Sequence, residues 1–184
     1  MNPWESFFLQ ESSLAGWFGR LPVRGAGPGF QSSCRPARGP SPDQVYYVSW
    51  GTVRGIVLDE DERTIALRTL QQYGDGDCWA IDAAVVLPEQ VDILIHSRRS
   101  QGGRCDTLEL GSILQRVLTQ TARRIGQVRG YWGPVWQEGH LERLVRDDEE
   151  LRERWRLIRD QPVRRLLAAA PEDYAWFYQR TIWR

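Results

Sequence analysis

The sequence predicts an α+β fold: an antiparallel sheet in β-α-β-β-α-β order, with helices on one face and extra helices at the C-terminal end. Three observations carry this reading. Segments rich in β-branched and aromatic residues alternate with segments of helical periodicity. The second and third strands are joined by a turn at Pro88 and Glu89, which makes them an antiparallel hairpin. The stretch "TLELGSILQRVLTQTARRIGQ" repeats Leu110, Ile113, Leu114, Val117, Leu118, Thr121 and Ile125 at intervals of three and four, the apolar stripe of a long helix. This order is the ferredoxin-like arrangement, which hosts many functions and names none.

Each element has its own signal. "VYYVSWGTVRGIVL", from Val45, is β-branched and aromatic and reads as one long strand. "DEDERTIALRTLQQYG" opens on acidic residues, carries Ile65, Leu67 and Leu70, and closes on Gly74, as a helix does. "CWAIDAAVVL" is the second strand, with Asp82 as its odd member, and "VDILIH" is the third. "SRRSQGGRCD" is a loop, the long helix follows, and "YWGPVWQEGHLERLV" contains a short strand. "RDDEELRERWRLIRDQ" is an acid-started helix that Pro162 is expected to end. "VRRLLAAA" is expected to form a last short helix, stopped by Pro171.

Residues 45–184 are therefore expected to form the folded domain. Residues 1–43 read as an N-terminal extension with a flexible Gly/Pro/Ser-rich linker, preceded by Trp4, Phe7, Phe8, Trp17 and Phe18. The 184 residues are 26% charged and 41% apolar with zero net charge, a globular profile that gives no global argument for nucleic acid. Every basic residue apart from the two histidines is arginine. Cys34, Cys78 and Cys105 are few, odd in number and scattered. They suggest neither a disulfide framework nor a zinc site, and suit a reducing cytoplasm. No apolar run approaches the roughly 20 residues of a membrane span, and Glu5 stands where a signal peptide would be basic.

Gln90 and Asp92 stand two positions apart in "VLPEQVDILI", so both point to the same face of an apolar strand. Such a pair is a surface stripe or the remains of a site. The flanking blocks bear on this choice. From about Val45 the chain resembles the single-tyrosine transposases of the HUH superfamily, in particular the REP-associated tyrosine transposases. That family's second block reads Val-Met-Pro-Asn-His-Val-His-Leu-Leu, with Leu-Pro-Glu-His as a variant; here it is "VVLPEQVDILI". Its C-terminal blocks correspond to "VWQEGHLERLVRDDEEL", "LIRDQPVRRLL" and "PEDYAW". The blocks occur in order over roughly three quarters of the chain, beyond the reach of a single short motif.

The resemblance implies a chemistry and also where this chain departs from it. In the family, two histidines on one strand face hold a divalent cation that polarises the scissile phosphate. A helix tyrosine then attacks phosphorus and becomes joined to single-stranded, often hairpin, DNA. Here the histidine pair falls on Gln90 and Asp92, the tyrosine on Leu157 and the Asn before the proline on Gln161. Leu157 lies roughly 120° from the helix stripe of Leu151, Trp155 and Ile158, which suits either a vacated site position or a residue covered by a neighbouring helix. Asp92 is a competent hard-cation ligand and Gln90 a weak one, so at best a loose Mg²⁺ or Mn²⁺ site is expected and no resident cofactor. His96 lies about 13 Å along the strand from Asp92 and reads as an end-of-strand polar residue, with His140 a weak third-ligand candidate. Tyr131, Tyr174 and Tyr178 fall outside the nucleophile position.

DNA binding is separable from cleavage. Arg116, Arg123 and Arg124 fall on the polar side of the long helix; Arg98, Arg99 and Arg104 precede it; and Arg164 and Arg165 follow Pro162. Arg98, Arg99, Arg116, Arg123 and Arg124 are the expected phosphate contacts, against the alternative of a solvated helix face. The acidic run at 147–150 would repel DNA locally. The resemblance thus implies a mobile-element protein of DNA transposition, with single-stranded or hairpin DNA as its partner, cleavage lost, and homodimers an expectation. The alternatives are a structural or interaction protein, or a decaying remnant without DNA binding.

Overall fold

The computed structural model describes residues 44–74, 78–98 and 110–180. The extension over 1–43 and the loop positions Arg99 and Arg104 lie outside the described residues. Strand β1 spans Val45–Gly51, helix α1 Glu60–Gly74, β2 Trp79–Val86, β3 Gln90–Ser97, α2 Leu110–Arg129, β4 Leu141–Leu144, α3 Asp148–Arg164 and β5 Phe177–Gln179. The strands form one antiparallel sheet in the order β4-β1-β3-β2-β5. The α+β class and the βαββαβ order hold, and β5 adds a fifth strand outside β2.

Strand alternation divides the core in two. Val48 and Trp50 of β1, Val86 of β2 and Val91, Ile93 and Ile95 of β3 face α1 and α2, meeting Ile65, Leu70, Leu114, Val117 and Ile125. Tyr47, Ala83, Val85 and Leu94 face the other way, onto Leu151 and Ile158 of α3 and onto Tyr174. Helices therefore cover both faces, and the C-terminal helix alone lies over the face that carries Gln90 and Asp92. Each buried Leu or Ile removed from water there contributes about 1.5–3 kcal/mol.

Helix ends are fixed by side chains. Asp59 Oδ1 accepts from the Glu62 N–H at 2.9 Å and Glu62 Oε2 accepts from the Asp59 N–H at 2.9 Å, a reciprocal cap on α1. Arg129, at the end of α2, donates to the buried Glu62 carboxylate at 2.5 Å and so ties the end of α2 to the start of α1. Asp147 caps α3 by accepting from the Glu150 N–H at 2.8 Å.

Four local expectations are corrected. β1 stops at Gly51, because the chain turns at Arg54 and Gly55, the latter at φ 88°, and Thr52 leaves the sheet to bridge Trp136. Pro162 does not end α3; it is buried inside the helix. Only one intrahelical bond is lost to its missing N–H, and the next turn closes by Arg165 N–H to Gln161 O at 3.0 Å and Leu167 N–H to Pro162 O at 2.8 Å. The helix expected over 163–170 does not form, because Leu166 takes a left-handed φ of 58° and reverses the chain. Cys78 is disulfide-bonded, which the scattered cysteines did not suggest.

Leu166 sits where helices usually place glycine, and its side chain is 92% exposed, so it gains little packing in return for the left-handed backbone. L166G is expected to raise unfolding stability by about 1 kcal/mol, measured as a higher urea midpoint at unchanged m. A neutral or lower midpoint would show that the Leu166 backbone is unstrained.

Candidate functional site

Asp92 lies in the middle of β3, opposite Ser49 of β1, and is wholly buried. A carboxylate so placed must find donors. Strand alternation supplies the first: Tyr47, on the same face of β1, donates its hydroxyl to Asp92 Oδ1 at 3.0 Å. Gln90, two residues earlier on β3, donates its amide to Oδ1 at 2.9 Å and Oδ2 at 3.1 Å, and to Ser49 Oγ at 3.1 Å. The third donor comes from α3, where Gln161, 8% exposed, gives its amide to Asp92 Oδ2. Gln90 turns its own oxygen to the Arg165 guanidinium just beyond the helix end. Sheet and helix thus converge on one carboxylate.

The electrostatics follow from this burial. Burial pushes the Tyr47 hydroxyl well above the ordinary tyrosine range; the Asp92 charge and hydrogen bond raise it further, against smaller opposing effects of Ser49 and Arg154. Tyr47 is therefore a fixed donor at any ordinary pH. The Arg154 guanidinium lies over its ring, 5.3 Å from the centroid.

The donor set does not fit a divalent cation. Hard cations take oxygen ligands, several of them anionic. Here both oxygens of the single carboxylate accept N–H or O–H groups, the two amides present nitrogen to it, and a guanidinium holds the oxygen of Gln90. Among the described residues no group of three or more His, Cys, Asp or Glu side chains could hold a metal. His96 pairs with Asp82 at 2.7 Å, on the face of Asp92 but toward the other end of β3. His140 pairs with Glu142 at 3.5 Å, beside the edge strand β4, and joins no cluster with Asp92.

Leu157 stands one turn before Gln161 on α3, on the side of the helix that meets the sheet. It is half-buried and packs against the second core cluster. Tyr174 is buried, with its hydroxyl donating to Val86 O at 2.8 Å.

The arginines divide. Arg124 is not on the solvent side of α2: it is 3% exposed and donates to Thr69 Oγ1 at 2.9 Å and Gln72 Oε1 at 3.2 Å. The stripe of α2 that meets α1 is wide enough to take it in, so it is corrected to an internal strut. Arg116 is exposed, and Arg98 and Arg123 are half-buried. Arg116 and Arg123 ride on α2, across the sheet from Asp92, and are not part of its cluster. The residues that build the cluster, Tyr47, Ser49, Gln161 and Arg165, had one sequence signal: a polar residue in an apolar strand needs donors, and Tyr47 and Ser49 alternate onto one face.

Removing the acceptor strands three donors. D92A is expected to cost about 3–5 kcal/mol, and Y47F about 1 kcal/mol, both read from urea denaturation. Because the folded-state value of Tyr47 is raised, its contribution is complete below the ordinary tyrosine value of about 10 and declines as pH climbs above it. Y47F should flatten that alkaline decline; an identical decline in both proteins would show that Tyr47 is not its source.

No protein-family model matches this chain, and no curated protein matches it. Solved structures do. The structure of the REP-associated tyrosine transposase bound to a REP hairpin aligns with a TM-score of 0.60 and 16% identity, covering 79% of this chain and 81% of that one. A protein described as a candidate transposase from Deinococcus radiodurans aligns with a TM-score of 0.42 and 16% identity, covering 67% of this chain and 95% of that one. The chain therefore shares the fold of the REP-associated tyrosine transposase.

Proposed function

We propose that this chain is a transposase-like, DNA-binding protein of the HUH type that does not cut DNA. The observation that carries the reading is the Asp92 cluster. It joins Gln90 and Asp92, onto which the resemblance sets the metal ligands, to Gln161, which lies one turn along α3 from Leu157, onto which the resemblance sets the nucleophile. Leucine has no oxygen with which to attack phosphorus, so the covalent step is absent rather than slow. Each oxygen of Asp92 is engaged by protein donors, so no Lewis acid is offered to a phosphate. The shared fold with a hairpin-bound transposase supports single-stranded or hairpin DNA as the partner. A cytoplasmic setting and a homodimer complete the reading.

A second reading, a protein-interaction role, is favoured by one observation. Val57, Val128, Tyr131 and Trp132 are exposed at the end of α2 and the facing loop, with Trp132 83% exposed. Exposed apolar groups in one place mark contact sites.

Incubation with hairpin DNA and Mg²⁺ or Mn²⁺ is expected to give a mobility shift and no covalent adduct on a denaturing gel. L157Y alone should also give none, because no metal site accompanies it. R116Q together with R123Q should weaken binding evenly across sequences. An adduct that maps to a tyrosine and disappears on its change to phenylalanine would overturn the loss of cleavage. Absence of any shift at low salt with folded protein would favour the second reading.

A further inference from the structure

We propose that Arg63 and Arg165 form a metal-independent binding site for the phosphates of a nucleic-acid strand, at the end of the sheet marked by the β2–β3 turn. The proposal rests on the DNA-binding reading above and assigns its contact to residues outside the α2 stripe.

Both arginines bracket that turn. Arg165 reaches Gln90, the first residue of β3, from the end of α3. Arg63, on the first turn of α1, donates to the Tyr174 hydroxyl at 3.2 Å, and that hydroxyl in turn donates to Val86, the last residue of β2. The two guanidiniums thus reach the turn end of one hairpin, one from the start of α1 and the other from the end of α3. Their charges also act on the same group: each draws the Tyr174 hydroxyl down against the upward push of its burial.

Neither arginine has a carboxylate partner among the described residues. Arg129, Arg143, Arg154 and Arg159 each do. Arg63 instead stacks on Trp176, 3.7 Å from the ring centroid, and donates to the Asp59 carbonyl at 3.2 Å and to Tyr174. Arg165 donates to a neutral amide. A guanidinium fixed by an aromatic ring or an amide keeps N–H groups free for a phosphate, whose geometry its fork matches. Stacking also limits the rotamer freedom lost on binding. Glu89, exposed at the tip, is the acidic side chain of the turn itself. The buried cluster beneath takes no cation, so charge for a phosphate at this end comes from side chains alone.

The test uses the full chain and a fluorescent single-stranded hairpin, titrated at several salt concentrations with EDTA and with Mg²⁺. Binding should be the same with either addition. R63Q and R165Q should each weaken it about tenfold and lower the salt slope by about 0.7 per lost contact, while E89Q strengthens it. Circular dichroism and the urea midpoint confirm that each variant is folded. No binding by the unaltered protein would defeat the DNA-binding reading itself. Binding that requires Mg²⁺, or that survives R63Q/R165Q but falls with R116Q/R123Q, would overturn this site alone. A melting shift with inorganic phosphate that R63Q/R165Q abolish, with DNA binding unchanged, would overturn it in favour of a free-anion site.

Discussion

A carboxylate taken wholly out of water organises this molecule's third layer. Asp92 sits in the middle of the sheet, and among the described residues its oxygens are met by neutral donors from three segments. That requirement sets the position of Tyr47, turns both glutamine amides inward and fixes α3 at Gln161, one residue before the buried Pro162. Arg165 is then carried to the rim through Gln90. Without this acceptor, α3 would keep Leu151, Ile158 and their half-buried neighbours, the Arg154 contact with Tyr47 and the Arg143–Glu150 ion pair, and lose its buried polar anchor.

The core layers were legible because their signals are local and redundant. The α2 stripe, the β2–β3 turn and the acidic start of α1 each announce one element, and hairpin logic makes β2 and β3 antiparallel. The failures share a cause, since each depended on something distant. Whether Pro162 ends a helix depends on the core it packs against, and propensity gives way to that burial. β1 ended early because Thr52 found Trp136, more than eighty residues on. β5 is three residues long and exists because the edge of β2 is available; so short a strand has no period to read.

The site divides in the same way. Strand alternation alone put Gln90 and Asp92 on one face, and the structure joins them by a hydrogen bond. The resemblance put Gln161 and Leu157 in the same neighbourhood, which no period could do. Arg124 misled because sequence gives charge without environment: a helix in contact with both a sheet and another helix has little truly polar side, and Thr69 and Gln72 of α1 wait on part of it.

The density of donors around Asp92 restricts what else position 92 can carry. A neutral imidazole there would offer one acceptor nitrogen to a tyrosine hydroxyl and two amide groups, which two carboxylate oxygens now satisfy. Exchange of Asp92 for such a group is therefore expected to need change at Tyr47, Gln90 and Gln161 as well. Three segments far apart in the chain thus hold position 92 to a carboxylate, and no single one of them can be exchanged without stranding the others.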